Sequence, residues 1–193
     1  DWSFDSGNEA FNTLAGNESL VLTYVIEAED SNGATATTEI QITINGLNDS
    51  PDIQVVDVVG TVEEGSSLTD SGSITFTDVD LTDNPTATEA ISSVTAIAQD
   101  GETVLTLTST QQAAIEAAFS IENVDTNTND GTVNWSYNIS EANLDFLGAG
   151  EVVTAVFTIM VTDDEGATDT QDVTITLTGT NDTPDIQVDA ETG

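Results

Sequence analysis

Oxygen-bearing side chains cluster around a proline at two places in this sequence. The first place is residues 48–55 (NDSPDIQV) and the second is residues 181–188 (NDTPDIQV). Carboxylate and amide oxygens are the ligands that Ca²⁺ prefers, and it takes six to eight of them. A proline restricts the backbone beside these ligands. The two runs therefore predict calcium-binding linkers, each lying between two folded units.

Acidic residues elsewhere in the chain are expected to join each linker. In an immunoglobulin-like sandwich, the loop after the second strand and the turn before the last strand lie at the end where the chain enters. That topology brings the Asp-x-Asp run at residues 78–80 and the turn at residue 163 to the first linker. The expected ligands there are Asn48, Asp49, Asp52, Asp78, Asp80 and Asp163.

The same argument places a second ligand set at the opposite end of the unit, where the chain leaves. Either Glu63 or Glu64 satisfies the pattern on the upstream side, and Glu63 is the residue we select. The expected set at the second linker is Glu63, Asp145, Asn181, Asp182 and Asp185. Asn12 is the residue of the preceding unit that aligns with Asp145.

The charge of the chain is entirely negative. Lys, Arg and His are absent, whereas Asp and Glu number 36, so the formal net charge is -36. No side chain can neutralise these carboxylates, which must be balanced by solvent ions or bound metal. Nucleic acids and anionic membrane surfaces are therefore excluded as partners, and no apolar run is long enough to span a bilayer.

The same absences remove most enzymatic chemistry. Catalysis through histidine or lysine is impossible, cysteine is absent, and nothing marks a pair of carboxylates as a glycosidase site. We expect that the protein is not an enzyme. Without cysteine it also has no disulfide framework, so bound calcium is the expected means of stabilisation.

An internal repeat organises the chain. A shift of 133 positions aligns residues 1–55 with residues 134–188 without a gap, and places Trp2 on Trp135 and Asp30 on Asp163. The predicted organisation is a partial repeat at 1–47, a calcium-binding linker at 48–52, a complete repeat at 53–180, and a linker with the start of another repeat at 181–193. Residues 1–47 lack the front strands of their own unit, so those partners are expected to come from elsewhere.

Alternating apolar and polar residues predict many short strands. One strand places Val153, Ala155, Phe157, Ile159 and Val161 on a single face. Residues 53–59 are expected to form the first strand of the complete unit, and residues 111–119 form the one helical stretch, capped by Ser109 or Thr110. The predicted fold class is all-β, with tandem antiparallel Ig-like or cadherin-like β-sandwich modules and one short helix.

Two acidic runs depart from the EF-hand calcium loop. Residues 125–131 have their glycine one place late, and the run that begins at Asp78 carries Asp83 where that loop needs glycine. Residues 125–131 are therefore interpreted as a turn, whereas the run at Asp78 is excluded only as an EF-hand loop. Trp2 and Trp135 are interpreted as core residues rather than as platforms for sugars.

Several motifs in combination resemble the VCBS-type repeats of very large bacterial surface adhesins of the RTX type. These motifs are WSY at 135–137, LDFL at 144–147, VTDDEGAT at 161–168 and GTNDTP at 179–184. The resemblance implies a cadherin-like or bacterial Ig-like module of a secreted protein at the bacterial cell surface. The linker pattern is also similar to that of cadherin joints, which implies Ca²⁺ at the residues given above.

The function expected from these features is a calcium-stabilised structural extender of an adhesin or a cell-surface or matrix fibre, acting in cell adhesion or biofilm attachment. Its partners would be neighbouring repeats, with any glycan or protein ligand bound elsewhere in the parent protein. Two alternatives remain open at this point. One is an adhesive module that binds a glycan or protein, and the other is a filament subunit completed by strands from neighbouring chains.

Overall fold

The structure, a computed structural model, describes residues 2–7, 11–54, 57–122 and 129–184. Within these ranges the regular secondary structure is mainly β-strand, with one α-helix and a 3-10 turn at Glu141–Asn143. The elements in chain order are β1 (Ser19–Glu29), β2 (Thr35–Asn45), β3 (Asp52–Gln54), β4 (Val59–Glu63), β5 (Thr69–Thr77), β6 (Thr86–Ile97), β7 (Val104–Leu105), α1 (Ser109–Glu116), β8 (Phe119–Ile121), β9 (Gly131–Asn138), β10 (Val152–Thr162) and β11 (Thr168–Thr178).

Strands β3 to β11 form two sheets. One sheet has the strand order β4-β11-β10-β6-β7 and the other has the order β3-β5-β9-β8. The chain crosses repeatedly from one sheet to the other, as in immunoglobulin-like sandwiches, and remains within one sheet only between β6 and β7, β8 and β9, and β10 and β11. All pairs are antiparallel except β4 with β11, which is parallel. The predicted all-β sandwich with one short helix is therefore confirmed.

The core lies between the two sheets and follows the alternation in the sequence. Every second residue of β10 from Val153 to Val161 is fully buried, as are Val173, Ile175 and Leu177 of β11. From the opposite sheet, Trp135 and Tyr137 of β9 pack into the same core. Period-2 burial of this kind is what a pleated strand with one covered face produces.

The first strand of this sandwich differs from the prediction. Instead of one strand over 53–59, the chain forms β3 in one sheet and then β4 in the other. The indole N–H of Trp135 donates to the backbone oxygen of Asp57 at 2.9 Å, which satisfies a carbonyl where the chain crosses between sheets. Gly60 then passes Trp135 so closely that a Cβ there would lie 3.1 Å from the ring.

Helix α1 begins two residues earlier than predicted and ends at Glu116, so that Phe119, predicted as its last residue, belongs to β8 instead. Its N-cap is Thr108, not Ser109 or Thr110, and the Thr108 side chain accepts from the backbone N–H of Gln111. The Gln111 side chain accepts in return from the Thr108 N–H at 2.8 Å. This reciprocal capping box decides the start because it satisfies two backbone donors at once. The described residues contain no helix long and apolar enough to cross a membrane.

Strands β1 and β2 form a separate two-stranded sheet that repeats β10 and β11 in detail. Each strand has its counterpart 133 positions later, and so does each pair in the register, as with Ser19–Asn45 and Val152–Thr178. The hairpin turns also match, because Asp30 and Asp163 each accept two backbone N–H groups in the same way. The repeat seen in the sequence is thus a structural repeat, with the two copies in different surroundings.

Candidate metal centre

Two loops at the upstream end of the sandwich carry the acidic residues of the candidate site. The first follows β5 and contains Asp78, Asp80 and Asp83; the second is the tight turn between β10 and β11, which begins at Asp163. Asp80 donates its backbone N–H to Asp78 Oδ1 at 3.1 Å, and Asp163 Oδ1 accepts from the N–H of Ala167 at 2.8 Å. These local bonds hold the carboxylates in place.

The five carboxylates of these loops form two groups that share one member. Asp78, Asp80 and Asp83 form the first group, and Asp83, Asp163 and Glu165 form the second. Within each group, one oxygen from every side chain lies within 4.8 Å of the others. Asp78, Asp80, Asp83 and Asp163 are all buried, and Asp80 is 0% exposed, whereas Glu165 lies at the surface. We call these five residues the upstream cluster.

The linker is tied directly to the upstream cluster. Asn48 Nδ2 donates to Asp163 Oδ2 at 2.9 Å, and the backbone N–H of Asp49 donates to Asp80 Oδ2 at 2.8 Å. Between them, these two bonds connect the linker to both groups of carboxylates.

The region before β1 also reaches these loops. The backbone N–H of Leu81 donates to the Thr13 oxygen at 3.3 Å, and Asn17 Nδ2 donates to Glu165 Oε1 at 3.4 Å. The cluster therefore lies where the two copies of the repeat meet.

The electrostatics of the upstream cluster call for a positive charge. A buried carboxylate needs a compensating partner, and this chain has no basic side chain to provide one. The described part of the chain instead leaves buried oxygens without a hydrogen-bond partner, and four of them lie here. These four are Asn48 Oδ1, Asp78 Oδ2, Asp80 Oδ1 and Asp83 Oδ2.

The pKa values of two carboxyls reflect the same lack of a compensating positive charge. Burial raises the pKa of Asp78, with further upward contributions from the charges of Asp80 and Asp163. Burial, followed by repulsion from Glu165 and then the other aspartates, raises the pKa of Asp83 from 3.8 to about 7. Without a cation, the protonated forms of Asp78 and Asp83 are therefore favoured.

A hard cation fits this donor set. The upstream cluster offers only oxygen ligands, with five carboxylates and the free amide oxygen of Asn48. Oxygen-only sites with several carboxylates suit Ca²⁺, Mg²⁺ or Mn²⁺ rather than zinc or copper. The orphaned oxygens are therefore what a bound divalent cation would satisfy. The buried acidic cluster is a candidate metal centre on this ground.

Most of the residues predicted at the first linker lie together. The structure brings Asn48, Asp49, Asp78, Asp80 and Asp163 into one connected set. Asp52 differs, because it is exposed at the start of β3 and belongs to neither group of carboxylates. Asp52 pairs with Thr77 at the end of β5, so it lies beside the loop that follows β5 but is not a member of the cluster.

At the downstream end the buried acid is Glu64, whereas the selected residue Glu63 lies on the exposed face of β4. Glu64 Oε2 accepts from the Thr180 N–H at 2.7 Å, and Glu64 Oε1 is buried without a partner. A Cβ on Gly65 would lie within 3.9 Å of both Glu141 Oε1 and Thr180 Oγ1. Glu64 is therefore tied to the start of the second linker, and Glu141 lies near the turn that follows Glu64.

The remaining residues predicted at the second linker are less constrained. Asp145, Asn181 and Asp182 are exposed, and Asn181 Nδ2 donates to the Asp182 oxygen at 3.0 Å. The same bond joins Asn48 Nδ2 to the Asp49 oxygen at the first linker. Asp185 lies outside the described residues.

Sequence reasoning did not select Asp83, Glu165, Glu64 or Glu141. Asp83 stands where the EF-hand loop needs glycine, so that pattern counts against it as a ligand. The available signal was the spacing Asp78-x-Asp80-x-x-Asp83, which puts three acids in one short loop. For Glu64 the available signal is the alternation of buried and exposed residues along β4. Every second residue is buried, and this inward face continues from Val62 to Glu64.

Comparisons with known proteins identify no family. No protein-family model matches the chain, and no curated protein matches it. Among solved structures, a PapD-like domain of human CEP192 is similar at 11% identity and a TM-score of 0.42, covering 70% of this chain and 89% of that domain.

Two further solved structures extend well beyond this chain. The sialic-acid-binding region of the Streptococcus sanguinis SK1 adhesin is similar at 14% identity and a TM-score of 0.38, with 81% of this chain and 37% of that one covered. Cadherin-like domains 1 to 4 of zebrafish RET are similar at 16% identity and a TM-score of 0.36, with 84% and 34% covered. Scores at this level add nothing to the β-sandwich class that the strand order itself establishes.

Proposed function

We propose that this chain is a calcium-stabilised extender repeat of a large secreted bacterial adhesin or surface fibre. The observation that carries the proposal is the set of buried, unpartnered oxygens where the linker meets the sandwich. These atoms occur in a protein with no basic side chain. The resemblance to VCBS-type repeats supplies the bacterial and extracellular context.

Calcium fits the proposed role better than magnesium does. Ca²⁺ accepts six to eight oxygens in flexible arrangements, whereas Mg²⁺ demands six in near-octahedral geometry and retains several waters. The upstream cluster is rich in carboxylates, and one linker side chain joins it through its amide. In this proposal Asp78, Asp80 and Asp83 mainly stabilise the sandwich, although Asp80 also accepts from the linker N–H of Asp49. Asp163, Glu165 and Asn48 mainly hold the junction with the linker.

The consequence is a chain whose repeats are held end to end by ions. Extracellular modules bind Ca²⁺ at about 0.1–1 mM, within the range of calcium outside cells. In an excess of about 100 times the dissociation constant, roughly 10–100 mM for such a site and above the concentration outside cells, one site adds about 2.7 kcal/mol to the free energy of unfolding. That is a large part of a typical domain stability of about 5–15 kcal/mol.

The test is thermal unfolding with excess Ca²⁺, with excess Mg²⁺ and with neither. We expect Ca²⁺ to raise the Tm by roughly 10 °C and Mg²⁺ to raise it much less. Asp83→Asn should remove most of the calcium-dependent rise, because Asp83 belongs to both groups of the cluster. Asp164→Asn is the matched control, since Asp164 is exposed in the neighbouring turn and should leave the rise intact.

Equal melting temperatures under all three conditions would contradict the proposal, because the buried carboxylates would then bind no cation that stabilises the fold. An equal rise with both cations would contradict calcium specificity while preserving the metal centre. Retention of the full rise in Asp83→Asn would place the ion elsewhere.

A further inference from the structure

The β1–β2 hairpin carries an apolar face that the described structure leaves largely open, because only residues 2–5 lie against it, lining one groove with Tyr24, Ile26, Ile40 and Ile42. Leu20, Tyr24 and Ile26 are 38%, 50% and 41% exposed. From β2, the inward-type positions Ile40, Ile42 and Ile44 remain half-buried. Large contiguous apolar surfaces of this kind usually mark an interaction site.

The second copy of the repeat identifies what belongs on this face. Positions Leu20, Tyr24 and Ile26 correspond, 133 positions later, to Val153, Phe157 and Ile159, which are all 0% exposed. The opposite sheet covers those three residues, and Phe157 stacks on Phe119 of β8 with the ring centroids 4.1 Å apart. Trp2 shows the same contrast, being 61% exposed where its counterpart Trp135 is 1% exposed.

The outer edges of the β1–β2 hairpin also correspond to paired edges in the β10–β11 hairpin. In the sandwich, β10 pairs antiparallel with β6, and β11 pairs parallel with β4. The corresponding edges of β1 and β2 have no strand beside them in the described residues. In the sandwich, carboxylates accept hydrogen bonds from backbone N–H groups of β3 and β4. Asp169 accepts from Ile53, and Asp70 accepts from Thr61. No such cap occupies the outer edges of the hairpin within the described ranges.

We infer that the hairpin face is a docking surface for the front strands of a repeat of this same kind. The occupant is a polypeptide segment equivalent to residues 48–133, with one strand added antiparallel along β1 and another added parallel along β2. Its negative charge is no obstacle, because the acidic residues 48–133 already cover the acidic β10–β11 hairpin in the complete sandwich. This inference goes beyond the proposed function and does not rest on calcium.

A second copy of this chain is the less suitable occupant. Its β3 to β9 strands are already built into its own sandwich, so it could supply them only by unfolding that sandwich. Two hairpins packed face to face would bury the apolar residues but would leave the outer edges of β1 and β2 unpaired. The front strands satisfy both the face and the edges.

The test lengthens the existing chain. A copy of residues 48–133 placed directly before residue 1 continues in register, because residue 1 aligns with residue 134. Hydrogen exchange followed by mass spectrometry then compares β1 and β2 in the two proteins. We expect amide exchange there to slow by roughly a hundredfold or more, approaching the exchange of β10 and β11 in the same molecule.

Two matched controls separate docking from mere lengthening. In the added copy, Ile74→Asp with Phe76→Asp places charge on inward positions of β5 and should abolish the protection. Ser71→Asp with Thr77→Asp places the same charge on exposed positions of that strand and should preserve it. Independently, Tyr24→Ala should leave the Tm of the 193-residue chain nearly unchanged but lower that of the lengthened chain by several degrees.

Unchanged exchange of β1 and β2 in the lengthened chain would overturn the inference. It would also be overturned if sedimentation showed the original chain to be a dimer in which β1 and β2 are already protected, because the face would then belong to a second copy.

Discussion

Buried carboxylates in this protein find their partners among backbone N–H groups, because no basic side chain exists. Asp163 accepts from two such groups in its turn, and Glu64 accepts from Thr180. A carboxylate has about four acceptor sites, so this supply falls short of its capacity. The oxygens left over are those that converge on the linkers.

Asp83 is the residue at which this shortage is most pronounced. It is 3% exposed, it belongs to both groups of the upstream cluster, and one of its oxygens has no partner. Its raised pKa means that the calcium-free native state holds a proton that the unfolded chain releases. The stabilisation by this proton is fully present below pH 3.8 and is lost as the pH rises to about 7.

The first prediction concerns the pH dependence of the calcium-free protein. Lowering the pH from about 8 to about 6 should raise its Tm by a few degrees, because Asp83 becomes protonated in the native state. Saturating Ca²⁺ should remove or reverse this dependence, since a liganding carboxylate must be deprotonated. Calorimetry in chelator and in excess calcium measures both.

The control for this prediction is Asp83→Asn in chelator. Burial also raises the pKa of Asp78, so some pH dependence is expected to persist in the variant. A Tm-against-pH slope equal to that of the unsubstituted protein would contradict the assignment to Asp83.

At the scale of elements, local bonds decide where the helix begins. Thr108 and Gln111 cap α1 reciprocally, and Ile115 anchors the helix to the core at 0% exposure. The helix has no acidic residue in its first turn and no basic residue in its last. Its stability therefore depends on the capping box and on the single buried anchor.

The second prediction tests this cap. Thr108→Ala should lower the free energy of unfolding by about 1 kcal/mol, because the N–H of Gln111 loses its acceptor. Thr108 is exposed, so no cavity forms. Urea denaturation in saturating calcium measures the effect. Thr110→Ala lies within the first turn and should cost much less; an equal cost for both variants would contradict the assigned N-cap.

At the scale of the whole molecule, the two copies of the repeat meet through side chains of the linker and backbone groups of the loops. The Asn48 amide donates a hydrogen bond to the Asp163 carboxylate, and the Leu81 N–H donates one to the backbone oxygen of Thr13. These contacts place the upstream cluster between the hairpin unit and the sandwich. A cation bound there would act on the arrangement of the two units as well as on the stability of one of them.

The third prediction separates these two effects. Small-angle X-ray scattering should show a narrower distribution of interatomic distances in calcium than in chelator. Asn48→Ala should weaken that change while leaving most of the calcium-dependent Tm rise, because Asp78, Asp80 and Asp83 remain. Ser50→Ala, an exposed change in the same linker, is the matched control. Identical scattering profiles with and without calcium would contradict the role of the junction.

Much of the fold follows from patterns that local physics enforces. The alternation in β10 and β11 predicts their inward faces, because a pleated strand cannot place successive side chains on the same side. The shift of 133 positions predicts that β1 and β2 match them, and the register confirms this pair by pair. The same reasoning located Asp78, Asp80 and Asp163 in loops at one end of a sandwich.

The sequence by itself determined which ligand atoms are available, namely oxygens in a chain that has no basic side chain. It also determined the repeated linkers and the strands whose apolar residues alternate with a period of two. Only the tertiary structure decided which carboxylates are buried together. Asp83 and Glu64 became the central acids because packing removed their side chains from water, while Asp52, Glu63 and Asp145 stayed exposed. Burial depends on contacts between residues distant in the chain, and a local pattern does not contain that information. For the same reason, only the three-dimensional arrangement showed that the face of β1 and β2 lies open.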